Sequence, residues 1–153
     1  PRLVCSSEGQ WTCRLAKDWS IDLPCLSGRV MAPYNFRVKK LEGKCCEWLR
    51  LEPDGRLTIR ADYATDGCSM VPDFPTALPA CVLHDALRQA NTLDRARCPW
   101  SRWEADCIFR RTLIAHGFGW LGSWLFFLGV AGPTGWIYTW LKRWLMPSRD
   151  RAC

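Results

Sequence analysis

Histidine is the side chain whose ordinary titration range lies nearest neutrality, and the chain has only two, His84 and His116. His84 is followed at once by Asp85, and a further acid, Asp106, sits in a second helix-like segment. On a helix, Asp106 lies three residues from Trp103 and Phe109 and seven from Leu113, which puts them on one face. A carboxylate in such an apolar stripe is expensive unless it is paired. His84 shares its own face with Ala80, Cys81 and Leu87 and points partly inward. Packing the two helices together lets Asp106 accept a hydrogen bond from His84, fixing the imidazole tautomer and supporting its basicity. Asp85 lies about 100° round the helix and faces a different neighbour. Asp66, in the loop Tyr63–Ser69, approaches the same region.

Two chemistries fit these residues. In one, His84 is a general base steadied by Asp106, and Asp85, with Asp66, binds a cation or an adjacent loop. In the other, the same groups form a buried polar network that locks two helices and a loop, an arrangement structural sites share with catalytic ones. His116 precedes Gly117 at a helix end and reads as part of a C-terminal cap. The chain has no G-x-S-x-G elbow, P-loop, G-x-G-x-x-G or H-E-x-x-H motif, which removes the chemistries those motifs serve.

The elements that must position these groups are legible in part. Ala80, Leu83, Leu87 and Ala90 recur at helical spacing and predict a helix over 80–91. Ser101-Arg102-Trp103-Glu104 is a capping box that opens a second helix running to about Ala115. No formal charge occurs from Gly117 to Leu141. Gly132-Pro133-Thr134-Gly135 breaks that stretch. The half before the break is about 22 Å of helix at 1.5 Å per residue, short of a hydrocarbon core of about 30 Å. A broken helical hairpin that does not span a membrane is therefore expected. Trp120, Trp124, Trp136 and Trp140 give it an interface character that suits a protein partner or a membrane surface.

Residues 33–63 read as a β-meander. Tyr34, Phe36 and Val38 alternate with polar neighbours, and Glu52-Pro53-Asp54-Gly55 joins Trp48–Leu51 to Arg56–Arg60 by a tight turn. In that hairpin Leu49, Leu51, Leu57 and Ile59 face one side and Arg50, Arg56 and Arg60 the other. Residues 1–32 show no sustained period and group as an irregular, Cys-containing arm. Residues 33–145 form one domain and 146–153 a basic tail. The fold class is α+β, a small antiparallel meander packed on a bundle of three or four helices.

A chain of 153 residues with 48% hydrophobic and 24% charged residues is globular in composition, which excludes a disordered or fibrous protein. The net charge of +6 suits an anionic surface without indicating specific nucleic-acid binding. Ten cysteines admit buried thiols, disulfides or a metal. Pro1–Glu8 lack the order of a secretory signal, which weighs against a disulfide framework, and no C-x-x-C pair supplies zinc-knuckle spacing.

The order Tyr63-Ala64-Thr65-Asp66-Gly67-Cys68-Ser69, Val82-Leu83-His84-Asp85-Ala86-Leu87-Arg88, Glu104-Ala105-Asp106-Cys107-Ile108-Phe109 resembles a family of small tailed-phage and prophage proteins known as a domain of unknown function. Its pattern is a T-D-G-x-S loop, an H-D-x-L-Y helix and an A-D-x-x-F helix. The resemblance covers about residues 33–145 and departs at Arg88, where the family carries an aromatic. It implies a virion or assembly-associated protein, made in the host cytoplasm. Such a protein would dock on tail or capsid partners, with homo-oligomers also admitted, and would need no cofactor. The same arrangement also looks like secreted and viral phospholipase A2 domains. That resemblance implies an ester or lipid hydrolase in which His84 activates water, Asp106 orients it, and Asp85 binds Ca²⁺ with the Tyr63–Ser69 loop. Here the loop has one glycine, Gly67, where those domains have several, and Arg88 brings a positive charge near the cation.

Overall fold

Two residue periods, two and 3.6, divide the chain into a β part and a helical part, and the structure follows that division. The computed structural model describes residues 3–5, 13–29, 31, 35–36, 46–65, 75–93, 95–96 and 98–132. Among these the strands are β1 (Leu3–Cys5), β2 (Cys13–Leu15), β3 (Trp19–Asp22), β4 (Asn35–Phe36), β5 (Cys46–Glu47), β6 (Leu49–Leu51), β7 (Arg56–Ile59) and β8 (Ala64–Thr65). The helices are α1 (Leu78–Leu93), α2 (Arg102–Ala115) and α3 (Trp120–Ala131). The protein is α+β, with antiparallel ladders in the orders β1-β2-β8, β3-β7-β6 and β4-β5.

The β6–β7 hairpin is built by its turn. Gly55 donates its N–H to Glu52 O at 2.9 Å, and Asp54 Oδ1 accepts from Arg56 N at 2.9 Å. Gly55 has φ +90°, and a Cβ there would sit 2.6 Å from the Leu23 carbonyl oxygen. Only glycine meets both constraints. The register Leu49↔Ile59 and Leu51↔Leu57 then places the leucine and isoleucine side chains on the core face, all buried, with Arg50, Arg56 and Arg60 exposed.

The third strand of this sheet corrects the sequence reading. β3, from the region set apart as an arm, pairs with β7 through Trp19↔Ile59 and Ile21↔Leu57. The segment 34–38 instead contributes β4, which pairs with β5 in its own ladder. Leu15, Leu23 and Leu26 join the same buried core as Leu49, Leu57, Leu83 and Leu87. Residues 13–29 thus belong to the body of the domain. A four-residue strand whose partner lies far along the chain leaves too short a pattern for periodicity to register.

α1 extends the expected 80–91 helix at both ends, with Pro79 in its first turn, where a missing N–H costs nothing. Its Leu83, Ala86, Leu87 and Ala90 pack on the sheet, while Ala80 and Cys81 join Phe109 and Leu113 of α2 in a second cluster. α2 then packs between α1 and α3. Cys81 is disulfide-bonded, and Cys25, Cys98 and Cys107 remain as thiols. At least one disulfide is therefore present, against the weighting drawn from the chain's first residues.

Both ends of α2 are closed as the sequence implies. Ser101 Oγ accepts from Glu104 N at 3.2 Å, and Glu104 Oε2 accepts from Ser101 N at 2.7 Å. At the far end Phe118 N donates to Leu113 O and Gly117 N to Ile114 O, with Gly117 at φ +84°. That is a Schellman closure, with His116 as the C-cap residue. Glu104 Oε1 also accepts from Arg29 Nη2 at 2.7 Å. The Arg29 guanidinium, helped by the Ser101 amide, holds the Glu104 carboxyl at about 2, well below the usual carboxylate range. Because the folded value is depressed, this contribution to stability is full above the unfolded value of about 4.3. It drains away as pH falls towards about 2. Glu104→Gln should therefore flatten the acid limb of a plot of melting temperature against pH below about 4.3.

Candidate functional site

α1 and α2 pack so that the first half of each presents its polar residue to the other. His84 Nε2 lies 2.7 Å from Asp106 Oδ1, and both side chains are buried. This is the contact their inward faces require. A third group, Arg88, completes it: Arg88 Nη1 donates to Asp106 Oδ1 at 2.9 Å and to Oδ2 at 3.1 Å. Arg88 is one turn beyond His84 on α1, so the i, i+4 spacing carries both donors to the same carboxylate. The sequence held that signal, but Arg88 stood out only as a departure from an aromatic. The Phe109 ring lies against the imidazole, centroids 4.7 Å apart.

The electrostatics follow from this packing. Burial pushes the His84 imidazole below its ordinary value; the hydrogen bond to Asp106 opposes it only in part, and the charge of Arg88 adds to the lowering. His84 is thus neutral at pH 7. With an ionised carboxylate as acceptor, the proton sits on Nε2, and Nδ1 keeps the lone pair. Asp106 has its charge met by a guanidinium, which leaves it less able to stabilise an imidazolium than an unpaired carboxylate would be.

Asp85, half-buried on the neighbouring face of α1, accepts from Thr65 Oγ1 at 2.5 Å and so ties β8 to the helix. Asp66 lies outside the described residues, as do Trp136, Trp140 and the Gly67 portion of the loop. Among the described residues, no three His, Cys, Asp or Glu side chains converge as a metal-holding group. Asp85 is the one described carboxylate of the proposed calcium set. The Arg88 charge lies close enough to feel it, a poor neighbour for a divalent cation, which needs about six to eight oxygens.

Two features depart from the helical-wheel reading. Trp103 does not share the buried face of Asp106; it is exposed, and its ring meets Phe127 of α3 edge-on at 5.3 Å. α3 ends at Gly132, at the expected break, and no described helix is long and apolar enough to cross a membrane. Of the interface tryptophans, Trp120 is exposed. Trp124 is partly buried, with the Arg110 guanidinium 3.9 Å from its ring centroid. The sequence reading missed the leucines that accompany them: Leu121, Leu125 and Leu128, with Trp120, are between 57% and 67% exposed. A cleft of about 310 Å³ opens between β3, the following 3-10 turn (Pro24–Leu26) and α2, lined by Leu23, Ile108, Arg111 and His116. It does not include His84 or Asp106.

No family model, curated protein or solved structure matches the chain. The geometry of the buried triad and the exposed helix face therefore stand as the functional evidence.

Proposed function

We propose that the chain is a phage-type virion or assembly-associated protein without a reaction of its own. Its His84–Asp106–Arg88 network locks α1 to α2, and the resulting body docks on other components of the particle, tail or capsid proteins among them. The observation that carries this reading is that Asp106 serves two donors at once, one of them a guanidinium. The network is satisfied internally, as a structural polar cluster must be. The exposed apolar face of α3 adds the surface that an assembly component requires.

The alternative is a hydrolase of the phospholipase A2 kind, and one observation favours it: Asp106 holds Nε2, so the Nδ1 lone pair is the one left for a proton. His84→Ala separates the two. A general base typically contributes about 10²–10⁴-fold to rate, so the hydrolase reading expects lost turnover with a near-unchanged melting temperature. The lock reading expects no ester or phospholipid hydrolysis by the parent, with or without Ca²⁺. It also expects a loss of about 1–3 kcal/mol from the missing His84–Asp106 hydrogen bond and the space the ring leaves, a fall of roughly 3–10 °C in melting temperature; Arg88 still pairs Asp106. The second pattern is the expected one. Calcium-dependent hydrolysis by the parent would overturn the proposal.

A further inference from the structure

Resting on the docking reading above, but at a site apart from α3, we infer that the cleft between β3 and α2 takes an extended, acidic peptide segment of a partner protein. The segment pairs with the open edge of β3 and sets an apolar side chain and a carboxylate against α2. β3 is the outer strand of its sheet, in the order β3-β7-β6. Leu23 N donates to Gly55 O at 2.9 Å, and the same register pairs Ile21 with Leu57 and Asp22 with Arg56. Neighbouring antiparallel strands exchange bonds only at alternate residues. Ile21 and Leu23 are therefore turned to β7. The N–H and C=O groups of Ser20 and Asp22 are turned away from it, where no described strand meets them. Main-chain groups left in such a row are a template for a further strand.

The cleft lies along this edge. On the strand side it is lined by Ile21, Asp22 and Leu23 in unbroken succession, and then by Pro24 and Cys25. A pocket on one face of a sheet would be lined by alternate residues only. On the helix side it is lined by Ile108, Arg111, Thr112, Ala115 and His116, which are spaced as one helical face. A strand edge beside a helix face is the geometry of strand addition, in which main-chain bonds give affinity and pockets for alternate side chains give specificity. The volume of about 310 Å³ is near the lower end of the range of ligand pockets, about 300–1,000 Å³. It holds side chains and has no room for a folded element. Leu23, Ile108 and Ala115 make its lining apolar. The Thr112 hydroxyl is spent on the Ile108 carbonyl at 2.9 Å, so Arg111 and His116 are the polar groups of the helix side. Arg111 is exposed and has no ion-pair partner among the described residues. The carboxylate that lines the cleft, Asp22, is engaged by Arg56 Nε at 3.0 Å. The uncompensated charge is thus positive, which selects a segment with a carboxylate close to its apolar anchor.

The probe is a displayed library of random eight-residue peptides, selected on the immobilised full chain. It should yield sequences that carry Asp or Glu within two residues of an aliphatic residue. The best of them, synthesised and measured by fluorescence polarisation, should lose at least about tenfold in affinity against Arg111→Met, and as much when its acid is replaced by the amide. Ala115→Phe fills the cleft and should abolish binding. Both positions are exposed, so both variants should melt with the parent; should Ala115→Phe lose its transition, Ala115→Leu serves the same comparison. N-methylation along the peptide should weaken binding at alternate positions only, as one strand edge requires. Bound peptide should also slow alkylation of the Cys25 thiol, which lines the cleft. The inference is overturned by a selection that enriches nothing, by affinity indifferent to Arg111→Met or to N-methylation, or by unchanged Cys25 alkylation. Hexanoate binding as tightly as the peptide would also overturn it, since the strand edge would then contribute nothing. So would self-association of the parent that Ala115→Phe abolishes, which would make a second copy the occupant. Failure of the peptide leaves docking through α3 standing, whereas ester hydrolysis by the parent overturns the non-enzymatic reading and leaves the peptide groove.

Discussion

Asp106→Ala should melt far below the parent, by roughly 6–20 °C, which corresponds to about 3–5 kcal/mol in a chain of this size. The size of the effect comes from what is left behind. Asp106 accepts from His84 at 2.7 Å and from Arg88 at 2.9 and 3.1 Å. Removing the carboxylate strands a partly buried guanidinium and a buried imidazole N–H. Removing one partner of a buried ion pair costs far more than removing both. Asp106→Leu combined with Arg88→Met should therefore recover part of the loss. Thermal unfolding followed by circular dichroism measures all three proteins. A fall of less than about 3 °C for Asp106→Ala would mean that the network does not hold the helices together.

Trp100→Ala should cost about as much, roughly 3–5 kcal/mol, through a different mechanism. Trp100 is 2% exposed in the short connection between α1 and α2, packed with the sheet-side core. Its Nε1 donates to Leu87 O at 2.9 Å, and its own carbonyl accepts from Asn91 Nδ2 at 2.8 Å. The ring is thus a plug that fixes how α1 turns into α2, and so where His84 and Asp106 meet. Trp100→Phe retains most of the volume and loses only the indole bond, so its cost should stay near that of one hydrogen bond, about 1 kcal/mol. Chemical denaturation of the two variants separates the terms. Equal losses would put the energy in the hydrogen bond and not in the packing.

What could be read from the sequence was whatever is encoded locally. The turn at Pro53-Asp54-Gly55 and the capping box at Ser101 and Glu104 each lie within a few residues, and each formed with the geometry its residue types demand. The facing of His84 and Asp106 was legible because a carboxylate on an apolar face must find a donor on whatever packs against it. Arg88 was harder, because a long cationic side chain at the edge of a helix usually reaches solvent. Its turn inward depends on Asp106, eighteen residues on. The strand β3 and the core leucines on either side of it were not legible, since nothing in Trp19–Asp22 announces a partner at Arg56–Ile59. Nor could composition tell the covered side of α3 from the open one, because the same apolar letters occupy both.

Glu104 divides its two oxygens between Ser101, its neighbour in the cap, and Arg29, which comes from the N-terminal side of the sheet and also donates to the Pro99 carbonyl. Two regions remote in the chain thus share one carboxylate. Energies of substitutions at such sites do not add, because loss of one partner changes what the other is worth. Arg29 and Ser101 are therefore coupled without touching. The entry to α2, which a helix end would ordinarily leave free to fray, opens only at the expense of the segment that borders β3, and the two halves of the protein answer to perturbation as one cooperative unit.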